Sequence, residues 1–318
     1  MRVFVAGAGG IVGRHLVPEL VARGHQVVAT TRNPARQEAL RSLGATPAVM
    51  DGLDPASVGE AVARAEPEVI VHEMTALASF RSPRSFDREF AVTNELRTTG
   101  TDNLIAAAGA VGVRRIVAQS YTGWPNERTG GPVKTEEDPL DTDPPARQRR
   151  SLEAIVHLER VVLAAAPVEG LAVRYGALYG PGTSAEEFGR LLLARKFPLV
   201  GDGGGIWSFV HVADAAAATA LAVERGAPGL YNIVDDHPAP VREWLPYLAE
   251  CVGAPPPRHL PPWLARLAIG ETGVSWMTRI RGSSNEKAKR ELGWTPVWSS
   301  WREGFREGAA DRTLRPAA

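Results

Sequence analysis

Gly7, Gly10 and Gly13 punctuate the stretch Gly7-Ala8-Gly9-Gly10-Ile11-Val12-Gly13, a spacing suited to holding a phosphate. Gly7 permits a tight turn, Gly10 lets backbone N–H groups approach a pyrophosphate, and Gly13 lets a following helix pack closely. The apolar run Arg2–Ala6 precedes this loop, and helical periodicity at Val12, Leu16 and Leu20 follows it at once. A strand, a glycine loop and a helix N-terminus, whose dipole favours an anion, make a dinucleotide site. An NAD site carries an acidic residue about twenty positions beyond the glycines, bonded to the ribose 2′-OH. No Asp or Glu lies between Glu19 and Glu38, and the second strand instead exits through Thr31-Arg32-Asn33. Arg32 can pair with a 2′-phosphate through its guanidinium fork, so the expected cofactor is NADP, with NAD the weaker candidate.

The elements that position this loop alternate along the chain. Strands are expected over Gln26–Thr31, 46–50, 68–72, 115–120 and 170–175, with helices over Pro55–Ala65, 86–108 and 151–166 between them. Strands alternating with helices define an α/β fold, a doubly wound parallel sheet of Rossmann type. The stretch 124–150 is rich in Pro, Gly and charge without apolar period, and its length marks a lid or a disordered loop. Beyond Gly176 the pattern turns irregular: a helix near 186–195, a strand at 207–211, the alanine-rich helix Val212–Glu224 and a last strand at 230–234. The expected division is a dinucleotide domain over 1–176 that also receives about 209–236. A smaller substrate-binding region then comprises 177–208 and 237–318.

The 318 residues are 44% hydrophobic and 23% charged, with zero net charge, enough for a large core. That balance gives no reason to expect nucleic acid or an anionic membrane as partner. Cys251 is the only cysteine, which excludes an intrachain disulfide and a cysteine-built metal site. The first core strand starts at residue 2 and no apolar run spans a bilayer, so a cytoplasmic protein is expected.

The GxxGxxG form of the loop resembles the short-chain dehydrogenase/reductase superfamily. Three further segments resemble its extended branch, the NAD(P)-dependent epimerases, dehydratases and reductases. They are Asn94 to Leu104, Arg174-Tyr175 with Tyr179-Gly180-Pro181-Gly182, and Trp207-Ser208-Phe209-Val210-His211-Val212-Ala213-Asp214. A fourth, Lys287-Ala288-Lys289-Arg290-Glu291-Leu292-Gly293-Trp294, is similar to its C-terminal end. The resemblance implies a cofactor cleft lined by Gly7, Gly10, Ile11, Val12, Gly13, Thr31, Arg32, Asp51, Gly52, Leu53, Met74, Thr75, Ala76, Asn94, Gln119 and Tyr175. It also implies a homodimer paired through the helical segments 86–108 and 151–166.

One departure stands out. The chemistry of that family rests on a Tyr-x-x-x-Lys pair, and no such pair occurs in this chain. The glutamate found eight residues after that tyrosine matches Glu159, which puts Ser151 at the tyrosine position and Ile155 at the lysine position. A serine hydroxyl is far too weak an acid to replace a phenol of pKa about 10, and isoleucine carries no charge. The remaining catalytic candidates are Ser120, at the family's third hydroxyl position, and Tyr121, the only tyrosine before Tyr175. Ser120 either orients a substrate oxygen or satisfies a loop amide, and Tyr121 either moves a proton or packs beneath the lid. Both converge on one site only if the chain turns between them. His72 and His211 are expected to be structural, and Arg81, Arg84 and Arg88 to form a solvated basic group. No metal site is expected.

The function expected from these residues is an NADP-dependent oxidation or reduction of a small hydroxyl- or carbonyl-bearing substrate. Epimerisation or dehydration through a keto intermediate is the close alternative. A non-catalytic NADP-binding protein, a sensor or partner-binding module, is the competing class.

Overall fold

The computed structural model describes residues 1–77 and 82–310, leaving aside the side chains of Ser184 and Ala310. Arg81 lies outside the described residues. Among the described residues seven strands form the main sheet: β1 Arg2–Ala6, β2 Gln26–Thr31, β3 Thr46–Val49, β4 Val69–His72, β5 Arg115–Tyr121, β6 Glu169–Tyr175 and β7 Gly229–Ile233. Their order is β7-β6-β5-β4-β1-β2-β3 and every pairing is parallel. The order in which the chain adds strands reverses between β1 and β4, the crevice where such folds bind ligands.

Helices cover both faces because the inner strands are apolar on both. On one face α1 Ile11–Ala22 packs beside the later alanine-rich helix Val212–Glu224, over Val5, Val71, Val117 and Val173. On the other, α2 Pro55–Ala65, α3 Thr101–Val111 and α4 Arg149–Leu163 cover Phe4, Ile70, Ile116 and Ala118. Pro18 is accommodated inside α1. A second apolar cluster, built on Phe209, Trp244, Leu248, Trp301 and Phe305, forms the core of the C-terminal region.

Three expectations need correction. The single helix expected over 86–108 is broken into Phe86–Glu89, Ala91–Glu95, a π-helical turn Leu96–Gly100, and α3. The strand expected at 207–211 is split between Ile206–Trp207 and Phe209–His211, which pair with different partners. The stretch 124–150 is ordered and not a loose loop. Its Val133–Lys134 strand pairs in parallel with Gly282–Ser283, and Asn126 Nδ2 donates to Ser283 Oγ over 2.9 Å. No helix among the described residues is long and apolar enough to cross a membrane.

Candidate active site

Steric crowding makes the glycine loop what it is. Gly7 has φ +94°, and a Cβ there would lie 2.5 Å from the Glu73 carbonyl. A Cβ on Gly13 would meet the Ala8 carbonyl oxygen at 2.5 Å, so this glycine lets α1 close onto its own loop. Gly10 opens α1 in extended conformation, and no described side chain caps that N-terminus. The leading N–H groups of Ile11, Val12 and Gly13 therefore stay available to an acceptor brought by a ligand. An open helix N-terminus behind a crowded glycine turn fits the pyrophosphate of a dinucleotide.

The other expected cofactor residues divide into accessible and buried ones. Arg32 is exposed at the end of β2, beside Thr31, whose Oγ1 accepts from the Asn33 N–H over 3.1 Å. Asp51 is exposed and accepts from the Leu53 N–H over 3.0 Å, while Gly52 packs under the Met74 sulfur. Thr75, Ala76 and Gln119 are half-buried at the ends of β4 and β5, and the Ala76 N–H donates to Thr93 Oγ1 over 3.1 Å. Tyr175 corrects the expectation. It is fully buried among the core residues, its hydroxyl donating to Glu73 Oε1 over 2.8 Å and also meeting Thr219, which removes it from the cleft surface. Burial pushes the Glu73 carboxyl up to about 8.

Both expected structural histidines are accounted for by hydrogen bonds. His72 accepts the Met74 N–H at Nδ1, which leaves Nε2–H to donate to the Thr101 hydroxyl at 3.1 Å or to the Leu96 carbonyl at 3.3 Å. Burial brings it down to about 4. His211 caps the helix Val212–Glu224 by accepting the Ala213 N–H and stacks on Trp298.

At the position of the missing relay the site is closed. Ser151 is fully buried, donates to Asp87 Oδ1 over 2.6 Å and accepts from Asn94 Nδ2 over 3.0 Å. Ile155, one turn on, is fully buried in a cluster with Phe86, Trp124, Leu152 and Ile280. A polar knot stands where the phenol would act, and an apolar cluster where the ammonium would stand.

Ser120 and Tyr121 are not brought together. Register with β6 continues unbroken through Ser120 to Arg174 and Tyr121 to Tyr175, so no turn separates them. The positive φ comes later, at Gly123. Ser120 meets neither a substrate-facing cavity nor a loop amide: its Oγ donates to Glu159 Oε1 over 2.7 Å, inside the bidentate Arg174–Glu159 ion pair. Tyr121 instead lines a narrow cavity of about 40 Å³, with Gly123, Trp124, Trp207, Trp276 and Ile280 on its walls. Burial pushes its phenol up to about 12, opposed by a single positive charge, Arg97.

Arg97 escaped the sequence reading. It stands in the π-helical turn, 4% exposed, with its guanidinium carbon 6.0 Å from the Phe90 ring centroid. Burial brings it down to about 10 against the opposing pull of Tyr121 and Glu159. Arg149 and Arg150, which precede the relay position, are exposed.

A parallel doubly wound sheet with a crowded glycine turn at its switch point defines a dinucleotide-dependent α/β enzyme. Comparison with known proteins makes the class specific. Residues 3–234 match the profile of the NAD dependent epimerase/dehydratase family, and the chain belongs to that family. It is 45% identical over 310 residues to a 3-diazoavenalumate denitrifying reductase of a Streptomyces species, covering 96% of this chain and 99% of the relative. It is 32% identical to a 2-alkyl-3-oxoalkanoate reductase of Stenotrophomonas maltophilia (strain K279a), covering 80% and 77%. The structure of a UDP-glucose 4-epimerase from Thermus thermophilus in complex with NAD superposes with a TM-score of 0.75, at 24% identity and full coverage of both chains. The chain is an oxidoreductase of the short-chain dehydrogenase type, and its cofactor is a nicotinamide dinucleotide.

Proposed function

We propose that this enzyme is an NADP(H)-dependent reductase that removes the diazo group of a small aromatic carboxylate as dinitrogen. The observation that carries the reading is the closed relay position, where Ser151 is held by Asp87 and Ile155 lies in an apolar cluster. Hydride delivery to a diazonium carbon leaves no alkoxide to protonate in that step, so the reaction can dispense with a relay at the family's position. Reduced nicotinamide supplies a hydride, whose electron pair makes the new C–H bond while the C–N pair of the diazonium leaves with dinitrogen. The 45% relative, named for denitrifying reduction of a diazo compound, supports the same acceptor class.

The chain's own groups have separable tasks. The α1 N-terminus with Gly7, Gly10 and Gly13 would hold the pyrophosphate and Arg32 the 2′-phosphate, with Thr31, Asp51, Leu53, Met74, Thr75, Ala76, Asn94 and Gln119 along the dinucleotide. Trp124, Trp207 and Trp276 would offer faces and edges to an arene. The tight cavity between them would have to widen around the ring, which then excludes water. We assign 1–176 with 209–236 to cofactor binding and the rest to the substrate side, in a cytoplasmic homodimer.

Ketone reduction is the second reading. It is favoured by the Tyr121 phenol on the cavity wall and by the relative named as an oxoalkanoate reductase. Epimerisation is less suited, because it needs proton transfer in both directions at a position closed here. The deciding experiment gives the purified enzyme deuterated NADPH and a ¹⁵N-labelled aryl diazo carboxylate. Release of labelled dinitrogen with deuterium on the ring carbon is expected. Turnover of ketones alone, with the diazo compound untouched, would overturn the first reading in favour of the second.

A further inference from the structure

Glu159 is already matched: Arg174 Nε and Nη2 reach its two oxygens over 2.7 and 2.6 Å, and Ser120 donates to one of them. Arg97, buried beside this pair, is therefore an excess positive charge, and its Nη1 has no partner among the described residues. An unmatched buried cation is costly, and a fold keeps one where it meets a negative charge at some stage of its work. The ionisable groups facing it are Tyr121 from β5, Glu159 from α4 and His72 from β4. Glu159 is neutralised, and His72 is spent on the Met74 amide and on Thr101 or Leu96. Of the protein's own groups facing it, only the Tyr121 phenol can become the missing anion. Arg97 stands within the π turn Leu96–Gly100, and such turns gather at functional sites.

We propose that Arg97 is the positioning cation of a relocated proton relay in which Tyr121 donates to an oxygen of the acceptor. This rests on the reading of the Trp-walled cavity as a reductase site, and it holds for either acceptor. The Tyr121 O–H bond breaks and its electron pair stays on the phenolate beside Arg97, while a new O–H bond forms on the acceptor. On a ketone that oxygen is the carbonyl. On a diazo arene with a ring oxygen, protonation turns the neutral oxo-diazo form into the hydroxyaryl diazonium, the stronger hydride acceptor. Water restores the phenol after product leaves, and no electrons change hands in this step.

The first test needs no substrate. A fluorinated tyrosine placed at position 121 brings the phenol's titration into a range where the folded chain survives, and its ¹⁹F shift is followed against pH. Arg97→Gln is expected to raise the midpoint by about one pH unit or more, and Arg97→Lys to return most of that change. An unchanged midpoint in a folded Arg97→Gln protein overturns the assignment. Should that variant not fold, Tyr121→Phe in the otherwise native chain decides. A roughly tenfold or greater fall in kcat with unchanged NADPH affinity supports the relay, and undiminished kcat overturns it. Because the ¹⁹F titration involves neither ketone nor diazo compound, failure of the diazo reading and failure of this pair are seen separately.

Discussion

Ser151 donates its hydroxyl hydrogen to Asp87 across 2.6 Å, and the same carboxylate accepts the backbone N–H groups of Arg150 at 3.1 Å and Ser151 at 3.0 Å. Asp87 is thus the cap of α4, supplied from a different segment, since Gln148 at the helix start makes no side-chain cap bond. Asp87→Ala would strand three donors and is expected to cost about 1–3 kcal/mol. Thermal denaturation checks this, and Asp87→Asn, which keeps an acceptor oxygen, should lose less.

Restoring the family's lysine should harm this chain. Ile155→Lys would push an ammonium among the apolar side chains of Phe86, Trp124, Leu152 and Ile280. A loss on the order of 3 kcal/mol or more is expected, because an unpaired buried charge is barely compensated. Denaturant melts of Ile155→Lys and Ile155→Met separate the charge from the change of shape.

Cofactor preference should follow Arg32. With the guanidinium exposed at the end of β2, Arg32→Asp exchanges a partner for the 2′-phosphate for one that suits a free 2′-hydroxyl. Calorimetric titration is expected to show NADPH binding weakened roughly tenfold or more, with NADH becoming the tighter ligand. Equal affinities in the unaltered enzyme would refute the NADP assignment.

Stability should decline between about pH 6.5 and 8. Burial holds Glu73 and Asp235 protonated up to about 8 in the folded chain. Unfolded carboxyls release their protons near about 4. Folded chain then binds the extra protons, so their contribution is complete below the unfolded pKa and lost as pH rises through about 8. His72 and His211, brought down to about 4 by burial, act oppositely but only below about 6.5. Glu73→Gln, which can still accept from Tyr175, should flatten the decline by up to about 1.4 kcal/mol per pH unit. Melting temperatures across that window would show it.

Val156 and Leu163 are exposed apolar residues on α4, at 44% and 40%. If α4 forms the dimer face, Val156→Arg should shift the light-scattering mass from two chains to one at micromolar concentration.

The sheet was legible because its strands are short apolar runs separated by helices of ordinary length, and β2 coincides with its expected bounds. The glycine loop was legible for the same reason that it works, since a Cβ fits at neither Gly7 nor Gly13. Arg97 was not legible. Helical periodicity over 86–108 assumes an even rotation per residue, and the π turn breaks that count and carries a charged side chain inward. A trace remained in the sequence, for Thr93, Leu96, Gly100 and Leu104 form a buried stripe on which an arginine is out of place. The binding of Ser120 to Glu159 rather than to a loop depended on α4 crossing β5, which no local pattern encodes.

The pairing of Val133–Lys134 with Gly282–Ser283 bears on how the enzyme is born. Tyr121 and Trp124 emerge early from the ribosome, Trp207 much later, and Trp276 and Ile280 near the end. The dinucleotide unit needs the chain as far as the strand Gly229–Ile233, whereas the cavity has no far wall until Ile280 is free of the exit tunnel. A nascent chain would complete its cofactor unit before it could enclose an acceptor, and a product truncated before Trp276 would keep the first and lack a wall of the second.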